Sequence, residues 1–393
     1  MRSITQSPTD PEFVQNPYPF YARMLAHGEP VFWHDYNMAA VFAHDQIAAL
    51  LKDKRLGREA MPDFAPDIAP HLAPFYDIEA HSMLELEPPR HTRLRGLVLR
   101  AFTSRRIAAL GPEIAQLCHD LIDDIPRDGC DLLSHYATQI PVIIIARLLG
   151  VPEHMAPDLL RWSNDMVLMY QARRTRALED RAIAASIAFR DFMHSYIDEK
   201  RKSPQDDLIT HLIAAEENGD KLSTDELITT CILLLNAGHE ATVHTMGNGI
   251  KTLLEHGCNP AWLSPDHIDG TVEEILRYDP PLHMFTRFAY ESIPLGDTVI
   301  ERGQQVALVF GAAGRDPARW DAPDVFDPTR RVQKNKAFGG GIHFCVGAPL
   351  ARLELQIAIP ILFERCPNLQ MAVAPEYADI YHFHGLTGLP VTL

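Results

Sequence analysis

The six cysteines of this chain, at 118, 130, 231, 258, 345 and 366, include no CxxC pair and no short metal-like spacing. That argues against a zinc site or a disulfide framework and fits a reducing cytoplasm. Basic charge is scarce too: a formal net charge of -16 excludes general phosphate neutralisation, and with it a nucleic-acid partner. Long apolar runs are lacking, since the stretches 140–151 and 228–237 are interrupted by Pro, Arg or Asn well short of a bilayer span. Residues 1–19 lack the basic-then-apolar order of a signal peptide, so neither export nor a membrane is expected. No GxGxxG opens a strand–turn–helix unit, which excludes a built-in flavin or nicotinamide site. Repeats and low-complexity tracts are also missing.

What is present is enough apolar material, 46% of residues, for one large core, and a single domain over residues 1–393 is expected. Apolar positions three and four apart predict helices over 107–125, 140–149, 182–201, 206–217, 224–256 and 350–365. Strand-like alternation is confined to 31–34, 39–43, 288–290, 298–300, 305–310 and 390–393. The fold class is therefore mainly α (α+β), a large helical body with a small sheet. The stretch 314–336, rich in Pro, Asp and Arg, reads as an irregular packed meander.

One local pattern carries chemistry. Phe338-Gly339-Gly340-Gly341-Ile342-His343-Phe344-Cys345-Val346-Gly347 runs into the amphipathic Ala348-Pro349-Leu350-Ala351-Arg352-Leu353-Glu354. Glycines let a backbone adopt positive φ and approach a flat ligand, while a helix N-terminus favours a thiolate. A random cysteine is more often a small buried hydrophobe. Here the whole string resembles the haem-binding signature of the cytochrome P450 family.

That resemblance extends along nearly the whole chain in the right order. Glu274-Ile275-Leu276-Arg277 resembles the family's ExxR pair, and Phe326-Asp327-Pro328-Thr329-Arg330 its meander partner. By spacing alone, the first would be a surface ion pair worth at most about 1 kcal/mol. With the second it implies a buried structural triad of Glu274, Arg277 and Arg330. Glu87-Pro88-Pro89-Arg90-His91-Thr92-Arg93-Leu94-Arg95 resembles the PPxHTxxR run. Asn236-Ala237-Gly238-His239-Glu240-Ala241-Thr242 resembles the oxygen-activating centre of a long helix.

The resemblance implies the cytochrome P450 fold, with haem b between that long helix and the Cys345 loop. It implies Cys345 as the iron ligand, Phe338 and Gly339 beside the sulfur, and His343, His91, Arg95 and Arg287 as propionate partners. Ala237 and Gly238 would leave room for the cofactor and dioxygen. Glu240 takes the family's acid position, but Ala241 stands where a threonine hydroxyl is expected, and Thr242 lies one residue on, about 100 degrees around the helix. An ordered water, a polar group on the substrate, or a locally unwound helix presenting Thr242 would have to supply the missing hydroxyl.

The implied activity is a soluble bacterial-type monooxygenase. It would insert one atom of O2 into a hydrophobic organic substrate, by hydroxylation or oxidative dealkylation, with electrons from a ferredoxin or flavodoxin. A peroxide-driven peroxygenase and a non-catalytic haem sensor or carrier are the rivals. A cytoplasmic monomer is expected. By position, the distal pocket draws on 61–82, 165–176, 282–285 and 383–387, with Phe64, Phe75, Met166, Met169, Leu282, Phe285 and Leu386 as possible contacts. Arg173, Arg174 and Arg176 could meet a carboxylate, though such runs are more often solvated loops. Arg100, Arg105, Arg106, Lys334, Lys336 and Arg352 could form a basic patch for an acidic redox partner. His239 and His283 are not assigned as metal ligands.

Overall fold

The computed structural model describes residues 1–65, 67–126, 128–171, 174–217, 220–380 and 382–393. Its residues group into two compact units. The first comprises Met1–Asp63, Gly111–Gln139 and Ala241–Leu393, and the second Phe64–Leu110 and Ile140–Glu240.

Four helices bear on function: α1 (Arg90–Ala101), α2 (Thr224–Glu255), α3 (Ile268–Tyr278) and α4 (Ala348–Arg365). A capping box starts α2, in which the Ser223 hydroxyl accepts from the Glu226 amide at 3.2 Å and the Glu226 carboxylate accepts from the Ser223 amide at 2.9 Å. The helix then runs unbroken through its glycine, so the local unwinding that could expose Thr242 is not seen. α4 opens with Pro349 in its first turn, where a missing N–H costs nothing.

In the first unit a six-stranded sheet is built from β1 (Arg2–Ile4), β2 (Val31–Trp33), β3 (Met38–Val41), β4 (Leu56–Gly57), β5 (Met284–Ala289) and β6 (Gln305–Val309), in the order β1-β2-β3-β6-β5-β4. β5 pairs antiparallel with β6, placing Arg287 opposite Val306 and Phe285 opposite Leu308, and its other edge takes β4 with Leu56 opposite Ala289. Apolar residues of one face, including Val41, Val306 and Leu308, close one core beside the sheet with Ile47 and Ile293. A second core gathers Phe13, Phe20, Tyr21, Trp33 and Phe42 in edge and tilted ring contacts.

Among its described residues the second unit is helical apart from a short antiparallel pairing of Glu216–Glu217 with Asp220–Lys221. Its helices Ala156–Val167 and Arg176–Lys202 pack through Trp162, whose ring lies 5.3 Å from Phe189 and 5.8 Å from Phe192. Several expected elements differ in extent: the helix expected over 206–217 spans only Leu208–Ala214, and 216–217 pair as a strand instead. The periodic stretch 107–125 divides into Ser104–Ala109 and Gly111–Asp123, because Pro112 cannot continue an incoming helix, and the strand expected at 288–290 starts at Met284.

Candidate active site

The Cys345 loop is shaped by its backbone. The Cys345 amide donates to the Phe338 carbonyl at 3.1 Å, closing the turn, and Gly339 and Gly341 both hold φ of 69°. A β-carbon at Gly341 would stand 2.0 Å from the Leu51 carbonyl oxygen, so that position admits only glycine on two counts. Gly347 and α4 follow directly, which puts the sulfur at the positive end of a helix. The Phe338 ring is capped by the Arg352 guanidinium at 4.5 Å, and that arginine is tied by its Nε to Glu273 on α3 at 2.5 Å.

Cys345 and His343 are half-buried. Burial pushes Cys118 up to about 12 and Cys258 up to about 11, and raises Cys231 further. Those three are poor thiolates, whereas Cys345 sits two residues before Gly347, the N-cap of α4. A soft sulfur donor on a glycine-shaped loop, with an imidazole two residues away, fits haem as the group held there.

The α3 triad forms as expected. Arg277 grips Glu274 through two parallel bonds of 2.7 Å, and its Nη1 donates to the Gly314 and Pro323 carbonyls at 2.7 Å each. Glu274 also accepts from the Asp327 amide at 2.8 Å, and Arg330 approaches it at 3.6 Å. Arg330 donates to the Asp321 carbonyl at 2.5 Å. Glu274 and Arg277 are 4% and 1% exposed, so the motif ties the helix to the meander from inside the protein.

On β5, Arg287 is buried and its Nη1 donates to the Thr286 carbonyl at 2.8 Å. In the second unit, His91 is buried and Arg95 half-buried on α1, while Arg93 between them binds Glu226 and the Lys221 carbonyl. At the centre of α2 a β-carbon on Gly238 would come within 3.1 Å of Ile145, so glycine allows close helix packing there. His239 donates from Nδ1 to the Leu235 carbonyl at 2.7 Å, and its Nε2 lies 3.8 Å from the half-buried Glu240 carboxylate. Ala237 is exposed and Thr242 buried. The hydroxyl of Thr245 donates back to the Ala241 carbonyl at 2.7 Å.

Of the candidate substrate contacts, Phe75, Met166, Met169 and Leu386 are buried, Leu282 and Phe285 half-buried, and Phe64 exposed. Arg173 lies outside the described residues. Arg174 meets Glu179 at 3.7 Å and Arg176 meets Asp180 at 2.7 Å, as a solvated charge run would. The basic set also divides, because Arg106 is held by Asp206 and His211, whereas Lys334 is exposed.

Sequence reasoning missed a buried polar cluster. The Asp279 carboxylate accepts from the Tyr18 hydroxyl at 2.6 Å and the Tyr377 hydroxyl at 2.5 Å, and His384 lies 3.5 Å away. His283 meets the Tyr21 hydroxyl at 2.8 Å. Burial, reinforced by Lys251 and His244, lowers His384 to about 3; burial and His384 hold His283 well below the usual imidazole range. The ligand atoms of Asp279, His283 and His384 lie within 4.8 Å of one another, a spacing open to a cation. The Arg315 guanidinium lies 4.1 Å from the Tyr18 ring and 3.6 Å from the Tyr278 ring, so a fixed positive charge stands beside the cluster.

The family model for cytochrome P450 matches residues 54–257 and 267–380. Cytochrome P450 107B1 of Saccharopolyspora erythraea is 42% identical over 347 residues, covering 86% of this chain and 81% of that protein. The cytochrome P450 monooxygenase PikC of Streptomyces venezuelae is 37% identical, covering 97% of this chain and 92% of its own length. Among solved structures, P450BioI in complex with a hexadec-9Z-enoic acid-ligated acyl carrier protein superposes with a TM-score of 0.92 at 34% identity, over 97% of this chain and all of that one.

Proposed function

This chain belongs to the cytochrome P450 family and is an oxidoreductase of the monooxygenase class; we propose that Cys345 is the thiolate ligand of a haem b and that the substrate is an organic molecule with an apolar body. The observation that carries the first part is the half-buried sulfur on a two-glycine turn at the head of α4. Haem, when bound, supplies the iron at which dioxygen is reduced, with electron density drawn from the thiolate. In the first unit His343 and Arg287 would hold haem propionates by charge-assisted bonds, and in the second unit His91 and Arg95 offer donors of the same kind. Phe338, fixed by Arg352, would shield the sulfur from water. On reduction under carbon monoxide the purified protein should give the absorbance band of thiolate coordination; a band typical of an imidazole or neutral thiol ligand would refute the assignment.

Proton delivery falls to few groups. α2 is unbroken at Ala241, Thr242 is buried, and the Thr245 hydroxyl is committed to the Ala241 carbonyl. Glu240 is therefore the acid nearest the gap, and it would pass protons through an ordered water or through a hydroxyl on the substrate. Electrons would arrive from a ferredoxin or flavodoxin. In Ala241→Thr the ratio of product to NAD(P)H consumed should change; an unchanged ratio and solvent isotope effect would exclude a relay at this position. High turnover with hydrogen peroxide and none with a ferredoxin would favour the peroxygenase reading instead.

A further inference from the structure

Two acidic side chains of α3 close on partners from α4: Glu273 accepts from Arg352 at 2.5 Å, and Asp269 accepts from the Gln356 amide at 2.8 Å. Glu354, between those partners on α4, behaves differently. It is 0% exposed, and neither of its carboxyl oxygens has a hydrogen-bond partner or reaches solvent. Its place on the helix explains the burial, because Leu350, Ala358 and Leu362 stand four and eight residues away on the same face and are buried as well. An apolar stripe thus carries one carboxyl group in its middle.

The titratable groups facing it are neutral ones. From the turn Leu133–Ala137, the buried Tyr136 hydroxyl donates to the Ala358 carbonyl at 2.8 Å, one helical turn along from Glu354. From the helix Gly111–Asp123, the buried Cys118 thiol bonds to that hydroxyl and lies near enough for a charge on Glu354 to push it up. Charged groups of the neighbouring elements are engaged elsewhere. Arg365 binds His119 at 3.0 Å and Asp123 at 2.5 Å, Lys251 on α2 binds Glu255 at 2.8 Å, Glu274 and Arg277 on α3 bind each other, and the His244 ring lies 5.8 Å from Phe383. Among the described residues no cation draws the Glu354 carboxyl down, and burial pushes it well above the usual carboxylate range.

We propose that the folded chain carries Glu354 as the uncharged acid, and that this proton is a pH-sensitive element in the packing of α4 against the helix Gly111–Asp123. A carboxylate taken from water without a partner costs far more than a neutral acid in the same place. Folding therefore takes up a proton that the unfolded chain does not hold at neutral pH. The sign follows from linkage: the contribution to stability is whole below the ordinary carboxyl value of about 4.5 and is lost as pH rises toward the folded one. In alkali the ionised group must draw water between the two helices, and α4 is the helix that follows the Cys345 loop. This device belongs to the fold and is independent of what the sulfur ligates.

The test uses the purified full-length chain and needs no variant for its first step. At neutral pH the infrared spectrum of the wild type should contain the carbonyl stretch of a protonated carboxylic acid, which gives way to carboxylate absorption in alkali. Glu354→Gln, uncharged and of the same shape, should lose that band. Its absence from the wild type, or its survival in Glu354→Gln, would overturn the proposal. In denaturant unfolding, the unfolding constant of the wild type relative to Glu354→Gln should rise about tenfold for each pH unit between about pH 5 and pH 7. His384 acts in the opposite direction over part of that range, and its contribution cancels in the ratio. Glu354→Leu, which removes the titration together with the polar atoms, should give the same pH dependence. A ratio constant within about twofold over that range would show a carboxylate already ionised in the folded chain, and the proposal would fall.

Discussion

Around Glu274 and Arg277 every charged atom meets a protein partner, whereas around Cys345 the constraints lie in backbone shape. The first region is sealed, with carboxylate, guanidinium and meander carbonyls satisfying one another at 2.7 to 3.0 Å. The second is half-open, held by two left-handed glycines, one amide bond to Phe338 and the Arg352–Phe338 contact. Charge balanced inside the protein secures the fold. Groups posed on a stiff but incompletely covered loop are posed for something else to bind.

The sharpest way to break this contrast is to exchange the sulfur for a hydroxyl. Cys345→Ser should abolish the thiolate-type carbon monoxide band and turnover. Measured without cofactor, its stability should stay within about 0.5 kcal/mol, because the residue is only half-buried and its amide bond to Phe338 survives. Retained turnover would end the distinction at its root.

The converse change should act through folding. Arg277→Leu strands a buried carboxylate and should cost about 3–5 kcal/mol, seen in denaturant unfolding of the cofactor-free protein. Arg277→Lys should recover little, since an ammonium cannot reproduce the two parallel bonds to Glu274. The double change Glu274→Leu with Arg277→Leu should cost clearly less than the two single costs summed. Additive losses would mean the pair is not a coupled unit.

How much of this was legible in the sequence depended on locality. Glu274 and Arg277 sit three apart on one helical face, and the Cys345 loop is contiguous, so both patterns were visible, but the burial of the pair and the role of the sulfur were implied only by the family resemblance. The Asp279 cluster was not legible, because Tyr18 reaches Asp279 across 261 positions and Tyr377 across 98, with no period to link them. Arg58 and Thr286, separated by 228 positions, meet only because β4 pairs with β5. The helix positions 224–255 followed from their pattern, while short elements such as Leu56–Gly57 depend on their sheet neighbours.

The Asp279 cluster extends the comparison, since it too is sealed and should register as stability. His384 is held neutral to about 3 in the folded chain, against about 6.5 when unfolded, so between those values the unfolded chain binds the extra proton. Stability is therefore complete above the unfolded value and falls with pH below it, by about 2 kcal/mol at pH 5. In His384→Gln the acid limb of an unfolding-midpoint profile should flatten. An unchanged slope would place the acid sensitivity elsewhere, and a cation-dependent midpoint would reopen the metal reading.

The smallest effect concerns the surface that receives electrons, and it separates sealed from open charge among the basic residues themselves. Burial, then the charges of Lys52, Arg319 and Lys334, lowers the Lys336 ammonium against the opposing pull of Asp45, so each of these cations acts on Lys336. Arg352, by contrast, is closed by Glu273 and Phe338. Like charges crowded beside the Cys345 loop favour an acidic partner, whose approach relieves the repulsion. Lys52→Glu or Lys334→Glu should slow first-electron transfer from a ferredoxin about threefold to tenfold at low salt, and the difference should vanish at high salt. Arg352→Glu should instead loosen Phe338 and weaken haem retention at any salt. If stopped-flow reduction shows the same salt-dependent slowing in Arg352→Glu, with haem fully retained, the ion pair with Glu273 does not hold that arginine, and the partner reads all the cations alike.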